Sequence, residues 1–395
     1  MWKTIKLGEI CDFEGGSQPN KKEFIYEPTK GYERFLQIRD FKDNKNITYI
    51  PKAKKNRLCT EDEILIGRYG ASVGQILSGL SGAYNVAMMK AIPNEKVISK
   101  SWLHTYLTST FFQHPLMEVS SRSAQNGFSK DDIYDFDVPL PPLLVQKKIS
   151  QITSSFDKLI KKIQLQISRY KNFKTSLIDD LLYQGIGNKK FKNNAIGKIP
   201  ENWTVNTLGS FCNSVSNKNN KKSSNIKVLS MTKHDGFVES LKYFKKKIFS
   251  KDLSNYKIVK KNQFAYSTIH LDEGSIGLLE NFEQGLISPM YTVFETNEKV
   301  FPKYLLLLLK SEKYIKKYSQ IGQGSINRRM SVSYNDFSNL MIPLPSIIEQ
   351  KKIVESINII EKNISNIYKK KIKYSMIKKS LTDDFINDKI KVPSN

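Results

Sequence analysis

Pro139-Leu140-Pro141-Pro142-Leu143-Leu144-Val145-Gln146-Lys147-Lys148-Ile149 reads PLPPLLVQKKI, and Pro343 to Ile353 reads PLPSIIEQKKI. The two blocks stand 204 residues apart, and the same offset carries Tyr170 onto Tyr374 and Lys174–Asp180 onto Lys378–Asp384. A segment of roughly 45 residues therefore occurs twice without a gap. Working outward, Trp2, Leu7, Gly8 and Cys11 match Trp203, Leu208, Gly209 and Cys212, and Asn94–Val97 matches Asn297–Val300. The chain reads as A–B–A′–B′, with B and B′ near copies and A and A′ diverged relatives.

Each B segment has the pattern of a long helix. Apolar residues step by three and four through Ile149, Ile152, Phe156, Leu159 and Ile163. The copy steps through Ile353, Ile357, Ile360, Ile364 and Ile367, with Lys371 as a break. Such a stripe wants a partner rod. Prolines set the entry and Gly185 and Gly187 end the first helix. About 40 residues make a rod of roughly 60 Å. B and B′ are expected to pair as an antiparallel coiled coil. The A segments mix β-like runs (Phe35–Ile38, Ile64–Ile66, Lys227–Ser230, Tyr291–Phe294) with helices over Lys100–Phe112 and Pro302–Tyr318. The fold class is α+β, two globular domains joined by two long helices in a pseudo-twofold internal repeat. The expected boundaries are 1–140, a helical spacer over 141–186, a polar linker over 187–202, 203–342, a second spacer over 343–387 and a tail over 388–395.

The chain has 395 residues, with 63 Lys plus Arg against 38 Asp plus Glu, a formal charge of +25. That surplus points to a polyanionic partner, nucleic acid or an anionic surface. Hydrophobic residues at 39% support globular cores. The longest apolar run, Leu305–Leu309, is far too short to span a bilayer, and the charged N-terminus carries no secretory pattern. Three cysteines build no disulfide framework, so a reducing cytoplasm is the expected compartment.

The ordered blocks resemble the specificity subunit of type I restriction–modification systems. The resemblance rests on the duplicated P-L-P-x-x-x-x-Q-K-K-I, the linker Ile196–Trp203 and the opening Trp2–Ile10. It covers essentially the whole chain. It implies two target recognition domains, each binding one half of a bipartite, asymmetric sequence in double-stranded DNA, with the helices as a spacer. It also implies two methyltransferase subunits docked on those helices and, in the full complex, motor–nuclease subunits. S-adenosylmethionine, ATP and Mg would be used by those partners, with no cofactor bound by this chain, no catalysis by it alone and no membrane involved. The implied host is bacterial or archaeal.

The residues carry no chemistry of their own on this reading. Gly67–Gly74 has the wrong spacing for a phosphate loop, and no Asn-Pro-Pro-Tyr or Asp-Pro-Pro-Tyr is present. Glu349-Gln350-Lys351 gives an E-x-K, but Val145 replaces the glutamate in the other copy. A carboxylate in the first helical turn accounts for it. Four scattered histidines share no ligand spacing, so no metal site is expected. Asp179-Asp180 and Asp383-Asp384 read as a solvated face or a partner contact.

Candidate DNA-binding residues come from comparing A with A′. Aligning Gly67 with Tyr266 and Gly74 with Gly277 brackets Arg68–Val73 against a longer Ser267–Ile276. Arg68 suits guanine, with Tyr69 and Ser72 beside it, against Ser267, Thr268 and His270. A second set is Arg122, Gln125, Asn126 and Lys130 against Gln323, Asn327, Arg328 and Arg329. A third is Gln37, Arg39 and Lys42 against Thr232, Lys233 and His234. Two other functions fit less well: a self-contained DNA-modifying enzyme, which would bind S-adenosylmethionine, and a coiled-coil scaffold, which would prefer vesicles or proteins to DNA.

Overall fold

The computed structural model describes residues 2–43, 45–122, 127–220, 226–233, 235–321 and 331–392. In the first repeat, β1 (Lys3–Lys6) leads to β2 (Cys11–Gly15), β3 (Tyr32–Leu36), β4 (Thr48–Pro51), β5 (Leu58–Cys59), β6 (Ile64–Gly67), β7 (Ile76–Leu77), β8 (Gly82–Tyr84) and β9 (Met88–Pro93). Helices α1 (Lys100–Leu107) and α2 (Thr110–Arg122), strand β10 (Asp137–Leu140) and the long α3 (Leu143–Gln184) follow. One sheet runs β2-β9-β6-β7, another β4-β3-β8-β5, and β1 pairs with β10.

The second repeat gives β11 (Phe191–Asn194), β12 (Gly197–Pro200), β13 (Thr204–Thr207), β14 (Cys212–Val215), β15 (Leu229–Thr232), β16 (Gly236–Glu239), β17 (Lys257–Lys260), β18 (Phe264–Ser267), β19 (Ile276–Leu278), β20 (Gln284–Ile287) and β21 (Tyr291–Thr296). Then come α4 (Pro302–Leu309), α5 (Glu312–Ile321), β22 (Met341–Leu344) and α6 (Ile347–Ile386). The sheet β14-β21-β18-β19 repeats the order of β2-β9-β6-β7, and β13–β22 repeats β1–β10. The single helices expected over Lys100–Phe112 and Pro302–Tyr318 are each two. Both break at a buried serine, Ser109 or Ser311, whose amide bonds three residues back.

The chain divides into unit 1, residues 1–165 and 368–395, and unit 2, residues 166–367. Each long helix thus serves two cores. Unit 1 buries Leu7, Trp102, Phe112 and Ile149 together with Phe385 and Ile386 from the end of α6. The Trp2 indole N–H donates to the Phe385 carbonyl at 2.8 Å. Unit 2 buries Trp203, Phe264, Tyr304 and Ile353 together with Leu181 and Leu182 from the end of α3. The stretch expected as a polar linker is folded: β11 and β12 form an antiparallel hairpin, and Ile196 and Ile199 enter the unit 2 core.

Inside each unit the helix halves pair antiparallel on a strict heptad. In unit 1 the seam runs through 146, 149, 153, 156, 160 and 163 against 371, 374, 378, 381 and 385; none is solvent-exposed. The Phe156 and Tyr374 rings meet at 6.5 Å. In unit 2 it runs through 167, 170, 174, 177 and 181 against 350, 353, 357, 360, 364 and 367. Two residues of the expected stripe are off this seam. Ile152 is 36% exposed and Leu159 faces outward, because the seven-residue step selects Thr153 and Ile160 instead. Lys371 is in the seam rather than breaking it. Three seam lysines reach across to a polar partner: Lys371 to Gln164 and Lys378 to Asp157, both at 2.6 Å, and Lys174 to Glu361. Lys174 with Glu361 and Lys378 with Asp157 are the same pair, once in each unit.

The repeated glutamine explains the duplicated motif. Gln146, fully buried, accepts from the Ser99 amide at 2.8 Å and donates to the carbonyls of Val97 and Pro141. Gln350 does the same with Phe301, Lys299 and Pro345. Each clamps the start of a long helix to the N-terminus of α1 or α4, filling one of that terminus's orphan donors. Glu349 also does more than face a helix dipole. It accepts from the Trp203 indole at 3.1 Å, the Ile186 amide at 3.1 Å and the Asn188 amide at 3.0 Å, tying down the end of α3. Among the described residues no helix is long and apolar enough to cross a membrane.

Candidate nucleic-acid interface

In unit 1, β6 ends at one rim of its sheet and hands the chain to a short loop. Gly67 is required there, since a Cβ would lie 2.2 Å from the Ser72 carbonyl oxygen. The loop closes through Gly74, at φ +75°. Arg68 stands between three segments. Its amide donates to Ala87 at 2.9 Å, its Nε to the Phe128 carbonyl at 3.3 Å, and its guanidinium lies 5.1 Å from the Tyr69 ring centre. Tyr69 is 37% exposed and pairs with Gly127, where a Cβ would strike the ring. The arrangement holds a cationic fork beside an exposed aromatic, a fit for a guanine edge or a phosphate.

Unit 2 builds the same place on a different set of side chains. The pair Ile66 opposite Ile76 recurs as Tyr266 opposite Ile276, so the loops 68–75 and 268–275 have equal length. The counterpart of Gly74 is Gly274, also at positive φ (+84°). The alignment of Gly74 with Gly277 is therefore corrected, and the second loop is not longer. Arg68 corresponds to Thr268 and Tyr69 to Ile269. The Thr268 carbonyl accepts from Val332 at 2.8 Å and its hydroxyl donates to Met290 at 3.4 Å. His270 faces Glu273 at 3.0 Å. Ser267 lies inside β18 and is 6% exposed, too buried to meet a ligand.

Other expected residues are partly committed elsewhere. The Gln37 backbone amide donates to the Asp40 carboxylate at 2.7 Å and its side chain to the Thr48 hydroxyl at 3.4 Å, whereas Arg39 and Lys42 are exposed. Arg122 is exposed at the end of α2. Lys130 lies over the Tyr134 ring and 4.0 Å from Asp12. The hydrogen bond from Tyr134 and that from the Phe13 amide hold the Asp12 carboxyl below its usual range, and Tyr134 with Asp12 keeps Lys130 protonated. Ser72 is half-buried in the loop turn, and Lys233 is exposed, its carbonyl accepting from Lys310. Gln125, Asn126, His234, Gln323, Asn327, Arg328 and Arg329 lie outside the described residues.

Two exposed apolar side chains beside these loops carried no motif. Val86 and Met290, 37% and 56% exposed, sit on the turns entering β9 and β21. An apolar residue at a tight turn was the one signal that could have marked them. The Asp383 carboxylate accepts from the Thr110 hydroxyl at 2.7 Å, which makes it a cap for α2 rather than a solvated face. Among the described residues no cluster of His, Cys, Asp or Glu could hold a metal ion.

Residues 1–169 and 200–374 each match the type I restriction modification DNA specificity domain. The chain belongs to that family. It is a specificity subunit, with two domains for recognising DNA sequence. The type I restriction enzyme MjaVIII specificity subunit of Methanocaldococcus jannaschii is 25% identical over 410 residues, covering 99% of this chain and 93% of that protein. The putative MjaX specificity subunit of the same organism is 26% identical over 76% of this chain and 70% of its own length. Among solved structures, one concerning complex assembly and conformational transition of the type I restriction–modification system aligns with a TM-score of 0.60 at 14% identity, over 98% of this chain and 97% of that one. The S subunit from M. genitalium gives 0.51 at 13% identity over 98% and 96%. At such identities the likeness is one of fold.

Proposed function

We propose that each unit of this specificity subunit reads one half of a bipartite DNA target with unlike halves. One observation carries the reading: the rim loops share a backbone register but present Arg68 and Tyr69 in one unit and Thr268 and Ile269 in the other. Loops of equal length, hung from the same strand register and carrying different side chains, suit two readers of different sequences. The surplus of 25 positive charges supplies a sequence-independent hold on phosphates.

The two long helices set the unread spacer between the halves and dock two adenine methyltransferase subunits. Those partners, with the motor–nuclease subunits, carry the S-adenosylmethionine, ATP and Mg chemistry, and this chain contributes recognition. The test is co-expression with a partner methyltransferase in a methylation-free host, followed by single-molecule sequencing of modified adenines. The expected product is a split motif with different halves. Identical halves, or a continuous motif with no unread gap, would overturn the reading.

A further inference from the structure

One connection in unit 2 stands apart from the rest of the surface. Leu241, Tyr243, Phe244 and Ile248 are each between 37% and 52% exposed, and residues 241–248 all face solvent. No other eight-residue stretch of the described residues holds more than two exposed large apolar side chains. The same segment carries Lys242, Lys245, Lys246, Lys247 and Lys251, and residues 240–251 include no acid. It opens as a short helix, Ser240–Phe244, which Lys245 ends at φ +53°. The Tyr243 and Phe244 rings meet edge to face, 5.0 Å apart.

Unit 1 supplies the comparison. β16 pairs with β15 as β4 pairs with β3, and β17 pairs with β20 as β5 pairs with β8. The parallel link of β3 to β8 recurs as the bridge between Val228 and Leu286. The segment therefore corresponds to residues 52–57 of unit 1, but runs over 240–256. The short version, Lys52-Ala53-Lys54-Lys55-Asn56-Arg57, keeps the cations and has no large apolar residue. Cations common to both units suit a partner that both units meet, and that partner is DNA. Rings held by one unit alone suit a contact made there alone. The position agrees with this. The Tyr243 hydroxyl donates to the Asp235 carboxylate at 3.0 Å, in the turn between β15 and β16. That turn abuts the rim: a Cβ on Gly277, just past the loop 268–275, would lie 3.7 Å from the Gly236 Cα.

We infer that residues 240–251 form a finger that grips DNA beside the half-site of unit 2, with the Tyr243–Phe244 ring pair wedged into a base step. The inference rests on the DNA-reading role proposed above and adds a contact that unit 1 lacks. Phosphates give the lysines a partner whatever the sequence. On DNA, exposed rings find theirs where a base step opens, and stacking on the ring offsets the cost of opening it. The finger therefore kinks the duplex beside one half of the split target and leaves the other half without that kink.

The experiment places 2-aminopurine, a base whose fluorescence rises when it is unstacked, at successive steps on either side of each half-site. The DNA is bound by the complex co-expressed with its methyltransferase. A rise is expected beside one half-site alone. It should vanish in Tyr243→Ser with Phe244→Ser, with binding weakened roughly 10-fold. Replacing Lys245, Lys246 and Lys247 with Ser should make the slope of log K against log salt shallower by about 2–3. Thermal melts should not move, since these side chains face solvent; Phe244→Ser alone, which keeps the Tyr243 bond to Asp235, serves if the double variant is unstable. A target bound with no rise beside either half-site, or a rise that survives the ring variant, overturns the inference and leaves the reading role intact. Failure of the unaltered complex to bind any split target overturns that role itself. Ring variants that lose binding to phosphatidylserine vesicles, or lose a methyltransferase subunit in native mass spectrometry, with the DNA signal unchanged, assign the patch to a membrane or a protein and also overturn it.

Discussion

Gln146 and Gln350 make the same three hydrogen bonds in their two units, whereas the loops 68–75 and 268–275 share their length and flanking strand register and almost no side chains. The clamp is buried and closes a hydrogen-bond inventory, so any replacement strands donors and acceptors. The rim loops share their strand anchors but not their exposure: Tyr69, Gly70 and Ala71 are exposed in one, whereas in the other Leu271 is buried and Glu273 is exposed. The two copies agree where a buried hydrogen-bond set constrains them and differ where it does not.

The comparison can be broken or sharpened by substitution. The largest effect is expected from Phe385→Ala, which opens a cavity in the unit 1 core from a residue supplied by the far end of the chain. A loss of ~3–5 kcal/mol should appear in the unit 1 transition by calorimetry, with unit 2 unmoved. A single joint transition shifted as one would show that the two cores do not melt independently. Next, Gln146→Ala should destabilise unit 1 and Gln350→Ala unit 2, each by ~2–3 kcal/mol, read by hydrogen exchange at α1 or α4. Unequal losses would end the equivalence of the clamps.

Arg68→Ala tests the other side of the comparison. It should leave stability alone and relax one half-site, with discrimination reduced by ~1–3 kcal/mol at one base pair. Methylome sequencing would read this, and a change in the opposite half-site would reverse the assignment of loop to half. The smallest effect concerns pH. Burial, then nearby Lys378, lowers the pKa of His104, while its counterpart on α4 is Leu306. A depressed folded pKa means the neutral ring is favoured by folding. The stabilisation is complete above pH ~6.5 and is lost as the pH falls below that. Unit 1 should therefore soften in mild acid, and His104→Leu should remove that slope; a slope that survives would place its origin elsewhere.

Much of the fold was legible because repetition reports itself. The duplicated blocks, the long helices and their antiparallel pairing follow from a fixed offset and a three–four step. Detail was lost where polar residues take apolar places. The seam passes through Thr153, Lys174, Lys371 and Lys378, so choosing the most hydrophobic residue led to Ile152, while Leu159 was taken where its equally apolar neighbour Ile160 holds the seam. The glutamine clamp was invisible because its partners, Val97 and Lys299, are distant in sequence. At the candidate site, Arg68 and Tyr69 were chosen from residue type, and the structure puts them side by side at the rim; Gly277 was taken for the partner of Gly74. The strand register, with Gly277 inside β19 opposite Ala265, and the positive φ at Gly274 separate the two. Ser267 looked available because a strand end and a loop start read alike.

Unit 1 contains both the first residues of the chain and, through Phe385 and Ile386, nearly the last. A ribosome making this protein finishes the first domain's own sequence roughly 200 residues before the helix that completes its core emerges. At ~5–20 residues per second that is an interval on the order of 10–40 s. Throughout it the nascent domain presents an open apolar face. Synthesis through Ile386 is thus a condition for the first domain to close its core.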